Sequence, residues 1–250
     1  MTTLVTRDTT DIQKNILATY FTMRGGMVLL SGLFPIVLLG YSFRAHDWTL
    51  TECSISAFYG ADDYAMRNYF VATLCVVGAL LAIYKGFSLL ENVLLKVAGG
   101  SVALVAFIPC GCWNECESNQ LFAKGNQLHT SFAITFFACM ALVVELCAFE
   151  TITLLPTRLQ NRFKRIYHGI AVGLILSPIA AVTVNYVARL PAKSIFFAEA
   201  FGVEVFAFYW FVKSREFHIT AADKKAARGQ LARARHGLVD LTAPPGPTTP

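Results

Sequence analysis

Residues 131–149 read SFAITFFACMALVVELCAF, with Glu145 as the only charged side chain. A helix needs about 20 mostly apolar residues to cross the hydrocarbon core of a bilayer, so this stretch predicts a membrane span. Five further stretches of similar character lie before and after it, and charged residues concentrate in the gaps. The six predicted spans cover residues 27–43, 69–84, 94–110, 131–149, 166–188 and 195–212.

The composition of the whole chain agrees with this interpretation. Of its 250 residues, 55% are hydrophobic and 15% are charged, whereas a soluble domain averages about 25% charged residues. We therefore predict an all-α fold, a polytopic membrane helix bundle of about six transmembrane helices. So many apolar stretches argue against a soluble globular domain.

Lysine and arginine residues accumulate on one side of the predicted membrane. Sixteen of the 21 Lys and Arg residues fall in the two tails and in the second-to-third and fourth-to-fifth gaps. Because positively charged loops stay on the cytoplasmic side, both termini are predicted to be cytoplasmic, in a plasma or inner membrane. The net charge of +5 reflects this asymmetry, and no folded basic module predicts a nucleic-acid partner.

Three regions follow from the span positions. Residues 1–26 form a predicted cytoplasmic tail, whose residues 11–21 predict a short amphipathic helix on the inner leaflet. Residues 27–213 form the six-helix transmembrane domain. Residues 214–250 form a basic cytoplasmic tail, with a helix over 220–236 that binds anionic lipid headgroups and a disordered end. The bilayer is the first expected partner, and a homo-oligomer or a second membrane protein is left open.

Small residues recur every four positions along two of the predicted spans. Such stripes let helix backbones approach closely in lipid, so they predict the tightest helix contacts. Pro178 is expected to bend the fifth span, with the Ser177 hydroxyl satisfying a freed backbone group. The stripes consist of Gly78, Ala82 and Gly86 in the second span, and of Gly169, Gly173, Ser177, Ala181 and Asn185 in the fifth.

Polar side chains concentrate on the predicted outer face, in the loops and at the helix mouths. We predict Ser56, His129 and Glu199 as catalytic residues, with His129 or Glu199 as the acid or base. The alternative for His129 is a hydrogen-bonded residue at the membrane interface. No H-E-x-x-H or H-x-x-x-H spacing occurs, so no metal is predicted, and no motif identifies a cofactor.

Binding roles are predicted for Arg67, Asn185 and Glu204, and the outward-facing pocket is predicted to include Arg67 and Asn185 beside Ser56, His129 and Glu199. Ionisable groups at membrane depth are expensive and mark functional sites or paired interior contacts. Glu199 and Glu204 lie about 6 Å and 13 Å down the sixth span and about 140° apart around it. They therefore cannot share one helix face, and a packing contact remains the alternative role for each.

Four cysteines fall on the predicted outer side: Cys53, Cys110, Cys112 and Cys116. An oxidising outer compartment favours disulfides, and four cysteines allow three pairings. The prediction is structural disulfides that tie the two outer loops together, and the alternative is thiol–disulfide redox chemistry. Cys75, Cys139 and Cys147 lie within predicted spans, where they act as small hydrophobic residues.

Two stretches resemble an uncharacterised bacterial family of multi-pass membrane proteins. The first is SISAFYGADDYAMRNYFVATLCVVGALLAIYKGF, residues 54–87, and the second is FFAEAFGVEVFAFYWFVK, residues 196–213. The resemblance implies a fold and a membrane location and carries no activity. Ser56 and His129 also resemble part of the Ser, Asp and His pattern of the hydrolase superfamily that includes alkaline ceramidases.

Three functional hypotheses follow. The first is a binding, transport or accessory membrane protein with an outward-facing polar pocket. The second is an outer-leaflet, lipid-directed hydrolase, which the ceramidase resemblance implies. The third is a membrane thiol–disulfide redox protein that uses the outer cysteines.

Overall fold

The computed structural model of the protein describes residues 2–45, 54–60, 64–108, 127–186, 193–234 and 237–242. Eight α-helices, a 3-10 helix at Ile55–Gly60 and a π-helical turn at Val143–Cys147 make up most of these residues. The helices are α1 Thr2–Ala45, α2 Tyr64–Ile83, α3 Leu89–Phe107, α4 Gln127–Leu142, α5 Phe149–Ile152, α6 Thr157–Tyr186, α7 Lys193–Thr220 and α8 Ala222–Ala227. Two short strands, β1 Leu231–Ala234 and β2 Gly237–Asp240, form an antiparallel hairpin.

The predicted bundle of six apolar helices is confirmed. Within the described residues, six helical segments are long and apolar enough to cross a membrane. All six are longer than the sequence predicts, and five of them begin before the predicted apolar stretch. The segments are Asp11–Arg44, Tyr64–Ile83, Leu89–Phe107, Gln127–Ile152, Thr157–Thr183 and Ile195–Thr220.

Helix α1 is continuous through the predicted N-terminal tail. Its 44 residues span about 66 Å, more than twice the thickness of a bilayer core. No proline precedes Pro35, and Gly25 and Gly26 remain helical, so nothing stops the helix between residues 2 and 34. The amphipathic segment at residues 11–21 is thus the start of the first span rather than a separate helix.

The predicted close contact of α2 is confirmed. A Cβ atom added at Gly78 would lie 2.7 Å from the carbonyl oxygen of Gly99 on α3, and one at Gly99 would lie 2.5 Å from the Gly78 oxygen. Two glycines therefore bring the backbones of α2 and α3 into direct contact.

The stripe on α6 contacts α7 over part of its length. A Cβ atom at Gly169 would meet nothing within 4 Å, whereas one at Gly173 would meet Val205 at 3.2 Å. Ser177 donates a hydrogen bond to the carbonyl oxygen of Ala198 at 2.8 Å. The Ser177 hydroxyl therefore joins α6 to α7, instead of satisfying a backbone group freed by Pro178.

The predicted helix over residues 220–236 is wrong beyond Ala227. Gly229 lies just before the hairpin, and Gly237 begins its second strand. Their φ angles are positive, at 65° and 135°, which is not a helical conformation. The hairpin packs on α5, where Arg233 binds Glu150 at 2.7 Å and Thr153 Oγ1 donates to the Leu238 carbonyl at 2.7 Å. The predicted disordered end lies outside the described residues.

Asp240 fastens the hairpin to α8. Its carboxylate accepts hydrogen bonds from the Thr242 hydroxyl and amide and pairs with Lys225 at 2.9 Å. The Thr242 bonds and then Lys225 lower the pKa of Asp240 to about 2. The carboxylate therefore carries its charge throughout the physiological pH range.

Candidate functional site

Ser56 is positioned by the 3-10 helix Ile55–Gly60, which lies between α1 and α2 in the chain. Ser54 caps this helix, because its hydroxyl oxygen accepts a hydrogen bond from the Ala57 amide at 3.1 Å. Phe58 is fully buried and lies 6.3 Å, ring to ring, from Phe196 of α7. The short helix is thereby anchored to the bundle, and Ser56 faces its interior.

His129 lies in the first turn of α4 and is 4% exposed. Its Nδ1 is 2.7 Å from the carbonyl oxygen of Ile108, and its Nε2 is 2.9 Å from Ser56 Oγ. Because a carbonyl oxygen only accepts hydrogen bonds, Nδ1 carries the proton of the neutral ring. Nε2 is therefore an acceptor, and the Ser56 hydroxyl donates to it.

Glu199, on α7, contacts the first residue of the same 3-10 helix. Its Oε2 accepts a hydrogen bond from the Ile55 amide at 2.7 Å. An amide at the start of a short helix has no partner within the helix, so a carboxylate here satisfies it. Ser56, His129 and Glu199 were predicted as residues of one site, and the structure brings them together. Their catalytic roles stay predictions.

These three residues line a cavity of about 60 Å³, together with Ser54, Thr130 and Ser177, and apolar side chains form the other half of its wall. We call it the polar cavity. An apolar cavity of about 80 Å³ adjoins it and shares Ser56, Ala133, Phe137 and Glu199. On the other side lies a lateral groove of about 280 Å³ between α4 and α6, which shares Ile134, Pro178 and Val182 with the polar cavity. The groove includes Ile175 and Ile179, which face outward from the bundle.

Arg67, which we predicted in the pocket, does not line this cavity, and neither does Glu204. The binding roles of both residues stay predictions. Arg67 is exposed, donates to the Tyr59 hydroxyl at 3.1 Å and lies over the Tyr59 ring at 4.6 Å. Glu204 is exposed on the side of α7 that faces away from the bundle. It lies five residues after Glu199, so the two side chains are about 140° apart around the helix. The side chain of Asn185 lies outside the described part of the structure.

The cysteine predictions concern three residues within the helices and four in the predicted outer loops. Cys75, Cys139 and Cys147 lie in the helical core as free thiols, as expected for small hydrophobic residues. The predicted disulfide residues Cys53, Cys110, Cys112 and Cys116 all lie outside the described residues. Structural disulfides and redox chemistry on these cysteines therefore stay predictions.

A second group of polar residues lies at the other end of the bundle, where α8 and the hairpin pack. Lys213 and Glu216 of α7 are paired at 3.2 Å, with side chains 2% and 0% exposed. Lys213 also donates to Thr151 Oγ1 at 2.7 Å, and the Tyr167 hydroxyl donates to Glu216. We call these four residues the Lys213–Glu216 cluster.

Arg24 of α1 extends this buried polar region toward the C-terminal segment. Its guanidinium binds both carboxylate oxygens of Asp223 on α8 and donates to the Tyr84 hydroxyl at 3.3 Å. The Phe217 ring lies between the two cations, 4.9 Å from Arg24 and 4.7 Å from Lys213. Charge-assisted bonds therefore join α1 to α8 and to the residue that follows α2, and a cation–π contact joins α1 to α7.

Two sequence signals point to this region. Lys213 and Glu216 are three apart at the end of an apolar span, a spacing that pairs side chains on a helix. Ser88 and Glu91 match the capping-box pattern at the start of α3. The Ser88 oxygen accepts from the Glu91 amide at 3.2 Å, and Glu91 Oε2 accepts from the Phe87 amide at 2.8 Å.

Comparison with known proteins adds no assignment to this geometry. No family model, curated protein or solved structure matches the chain. Across the described ranges, no three His, Cys, Asp or Glu side chains are grouped as a metal site requires. The chemistry of the site is therefore argued from its own side chains.

Proposed function

We propose that this multi-pass membrane protein binds a lipid-like amphiphile in the polar cavity, with the apolar part of the ligand in the lateral groove. The observation that carries the proposal is the sharing of Ile134, Pro178 and Val182 between the two spaces. A molecule already dissolved in the bilayer would reach the cavity sideways, between α4 and α6. Ligand sites in membrane bundles commonly combine an apolar wall with a few convergent polar groups.

The chemistry of the two spaces matches the two ends of such a ligand. The Ser56 hydroxyl, the His129 ring and the Glu199 carboxylate offer hydrogen-bonding groups in the polar cavity. A volume of about 60 Å³ admits a polar group of a few heavy atoms, because about 10–15 Å³ already holds one water molecule. Apart from Thr183, the larger groove is lined by Ile, Leu, Val, Ala and Pro side chains, which suit an alkyl chain.

Replacing Ile134 by tryptophan tests this proposal. The indole would occupy the junction between cavity and groove, so we expect lipid co-purifying with the protein to fall by at least about tenfold. Native mass spectrometry of the protein released from detergent measures the bound fraction. Leu142→Trp is the matched control, because Leu142 is an exposed residue of the same helix outside the cavities.

The wild-type spectrum must contain a bound amphiphile that survives detergent exchange. Equal lipid occupancy in Ile134→Trp and Leu142→Trp would contradict binding at the junction. An apo wild-type protein would contradict the proposed function itself.

A second candidate function, hydrolysis of an ester-linked lipid, is favoured by the hydrogen bonds from Ser56 to His129 and from His129 to Ile108. A nucleophile, a base and a group that orients the base is the arrangement used in nucleophilic catalysis. Ser56 Oγ would attack the ester carbon and pass its proton to Nε2. His129 would return that proton to the departing alcohol, and water would release the acyl group by the same route.

Labelling with an alkyl fluorophosphonate tests this second candidate. We expect the phosphonyl group to bond Ser56 Oγ with loss of fluoride, and Ser56→Ala to lose the label. His129→Gln should slow labelling by about 10²-fold or more, the usual effect of a general base. Ser177→Ala is the control, because Ser177 lines the same cavity without a histidine partner. Equal labelling of Ser56→Ala and the wild type would exclude Ser56 as nucleophile.

We also propose that both termini are cytoplasmic and that the basic C-terminal segment binds anionic headgroups. Exposed Arg215, Lys224 and Arg228 support the second point, and each basic side chain near an anionic surface contributes about 1 kcal/mol. Fused after residue 250, a reporter enzyme that works only in the cytoplasm should be active, and one that works only outside the cytoplasm should be inactive. Changing these three residues to Gln should reduce the stabilisation by phosphatidylglycerol, measured as the melting midpoint in nanodiscs of matched composition.

A further inference from the structure

Three of the hydrogen-bond donors around the polar cavity are committed to protein partners. The Nδ1 proton of His129 goes to the Ile108 carbonyl oxygen, and the Ser56 hydroxyl donates to His129 Nε2. The Ser177 hydroxyl donates to the Ala198 carbonyl oxygen at 2.8 Å. Each serine oxygen keeps lone pairs, which accept a hydrogen bond and cannot donate one. Ser56 and Ser177 therefore present acceptors to a ligand, and the His129 ring presents no further N–H group.

Glu199 adds a carboxylate to the same wall. An ionised carboxylate has acceptor oxygens and no donor, and Oε2 already accepts from the Ile55 amide. Glu199 lies four residues after Ile195, where the span begins, and therefore about 6 Å into the apolar layer. The Ser54 oxygen, also in the wall, accepts from the Ala57 amide at 3.1 Å. The polar half of the cavity is thus rich in acceptors.

We propose that the polar cavity selects an amphiphile whose headgroup donates hydrogen bonds, a hydroxyl or an ammonium group, over one that only accepts them. This inference rests on the proposed function, because it names the class of amphiphile that the cavity and the lateral groove would hold. A ligand O–H or N–H group would donate to Ser56, Ser177 or Glu199 without breaking an existing bond. A headgroup with acceptors alone would bring its oxygens against theirs, and both sets would go unpaired.

Anionic headgroups are disfavoured for a second reason. Arginine and lysine are the usual ligands of carboxylate and phosphate groups, and none of the described residues that line the polar cavity is either of them. A carboxylate or phosphate would also lie beside Glu199, where like charges repel strongly in surroundings of low dielectric constant. If the protein hydrolyses an ester, this selection requires a free hydroxyl group beside the ester.

Four probes that share a dodecyl chain test the headgroup directly. They are dodecanol, dodecylammonium, dodecanoate and dodecyl methyl ether, and each competes with deuterated dodecanol for the full-length protein in phosphatidylcholine nanodiscs. Native mass spectrometry measures the bound fractions, and empty nanodiscs correct for uptake of each probe by the bilayer. We expect dodecanol and dodecylammonium to bind at least about tenfold more tightly than the ether and dodecanoate.

Glu199→Gln tests the part played by the carboxylate. Glutamine keeps an oxygen for the Ile55 amide and adds an N–H donor to the wall. We therefore expect dodecanoate to gain about tenfold and dodecylammonium to lose about tenfold, while dodecanol, which donates and accepts, changes little. Glu145→Gln is the matched control, because it removes a carboxylate that lines neither of these cavities nor the lateral groove. It should leave all four probes unchanged.

The outcomes separate this inference from the function on which it rests. Equal binding of all four probes, abolished by Ile134→Trp, would leave amphiphile binding in place and overturn the selection of donors. A preference for the ether or dodecanoate would overturn it as well, and a preference for dodecylammonium alone would show selection by charge instead of hydrogen-bond donation. Failure of every probe to bind would overturn the proposed function together with the inference. The wild-type comparison needs no variant, so it decides the question even if Glu199→Gln misfolds.

Discussion

Replacing Lys213 by methionine is expected to destabilise the protein by about 3–5 kcal/mol. The ammonium group is the cationic partner of Glu216, and both side chains are buried at the end of α7. Methionine preserves the length of the side chain but leaves the carboxylate without its counter-charge in a low-dielectric site. The thermal midpoint in detergent, followed by intrinsic fluorescence, measures the loss.

Two further variants separate the buried pair from a general effect of removing charge. Lys96→Met removes an exposed lysine of α3, and its stability should stay within about 0.5 kcal/mol of wild type. Lys213→Met combined with Glu216→Gln should recover part of the lost stability, because no unpaired charge remains. A wild-type melting midpoint for Lys213→Met alone would show that the pair contributes nothing to stability.

Replacing Gly99 by alanine is expected to cost about 1–3 kcal/mol, the usual range for overpacking a tight contact. The added methyl group would lie 2.5 Å from the Gly78 carbonyl oxygen and 3.0 Å from the Ala82 amide nitrogen. Both contacts are with backbone atoms, so α2 and α3 must separate. The same thermal midpoint reports the result.

The next residue along the chain is a matched control. A Cβ atom added at Gly100 meets nothing within 4 Å, and alanine there should stabilise α3 by about 0.5–1 kcal/mol through its higher helix propensity. Adjacent glycines are thus expected to respond with opposite signs. Equal responses at the two positions would contradict the close approach of α2 and α3.

The candidate site was predicted in part. Ser56, His129 and Glu199 were expected to converge, and their hydrogen bonds to one another and to the 3-10 helix bring them to one cavity. Arg67 was expected beside them and does not line the cavity. Sequence spacing gives the angle between two residues on one helix, but it gives neither which face packs inward nor which loop folds back over it.

The Lys213–Glu216 cluster had only weak sequence signals. Each of its residues has a common alternative role near a membrane surface, where lysine extends toward water and a carboxylate is solvated. What buries them is the packing of α5, α6 and α8 around the end of α7. The hairpin was not predicted, because a segment rich in Ala, Lys and Arg favours a helix. In the structure, two glycines with positive φ angles interrupt that helix.

The sequence by itself determined that the chain folds as six apolar helices and where α2 comes closest to a neighbour. Helix length and apolar content suffice for the first, because an unpaired backbone is too costly in lipid. The spacing of small residues suffices for the second. Tertiary structure alone decided that Ser56 meets His129, that Lys213 and Glu216 are buried, and that Glu204 faces outward. Those outcomes depend on how each helix is rotated against its neighbours, which is set by packing among side chains far apart in the chain.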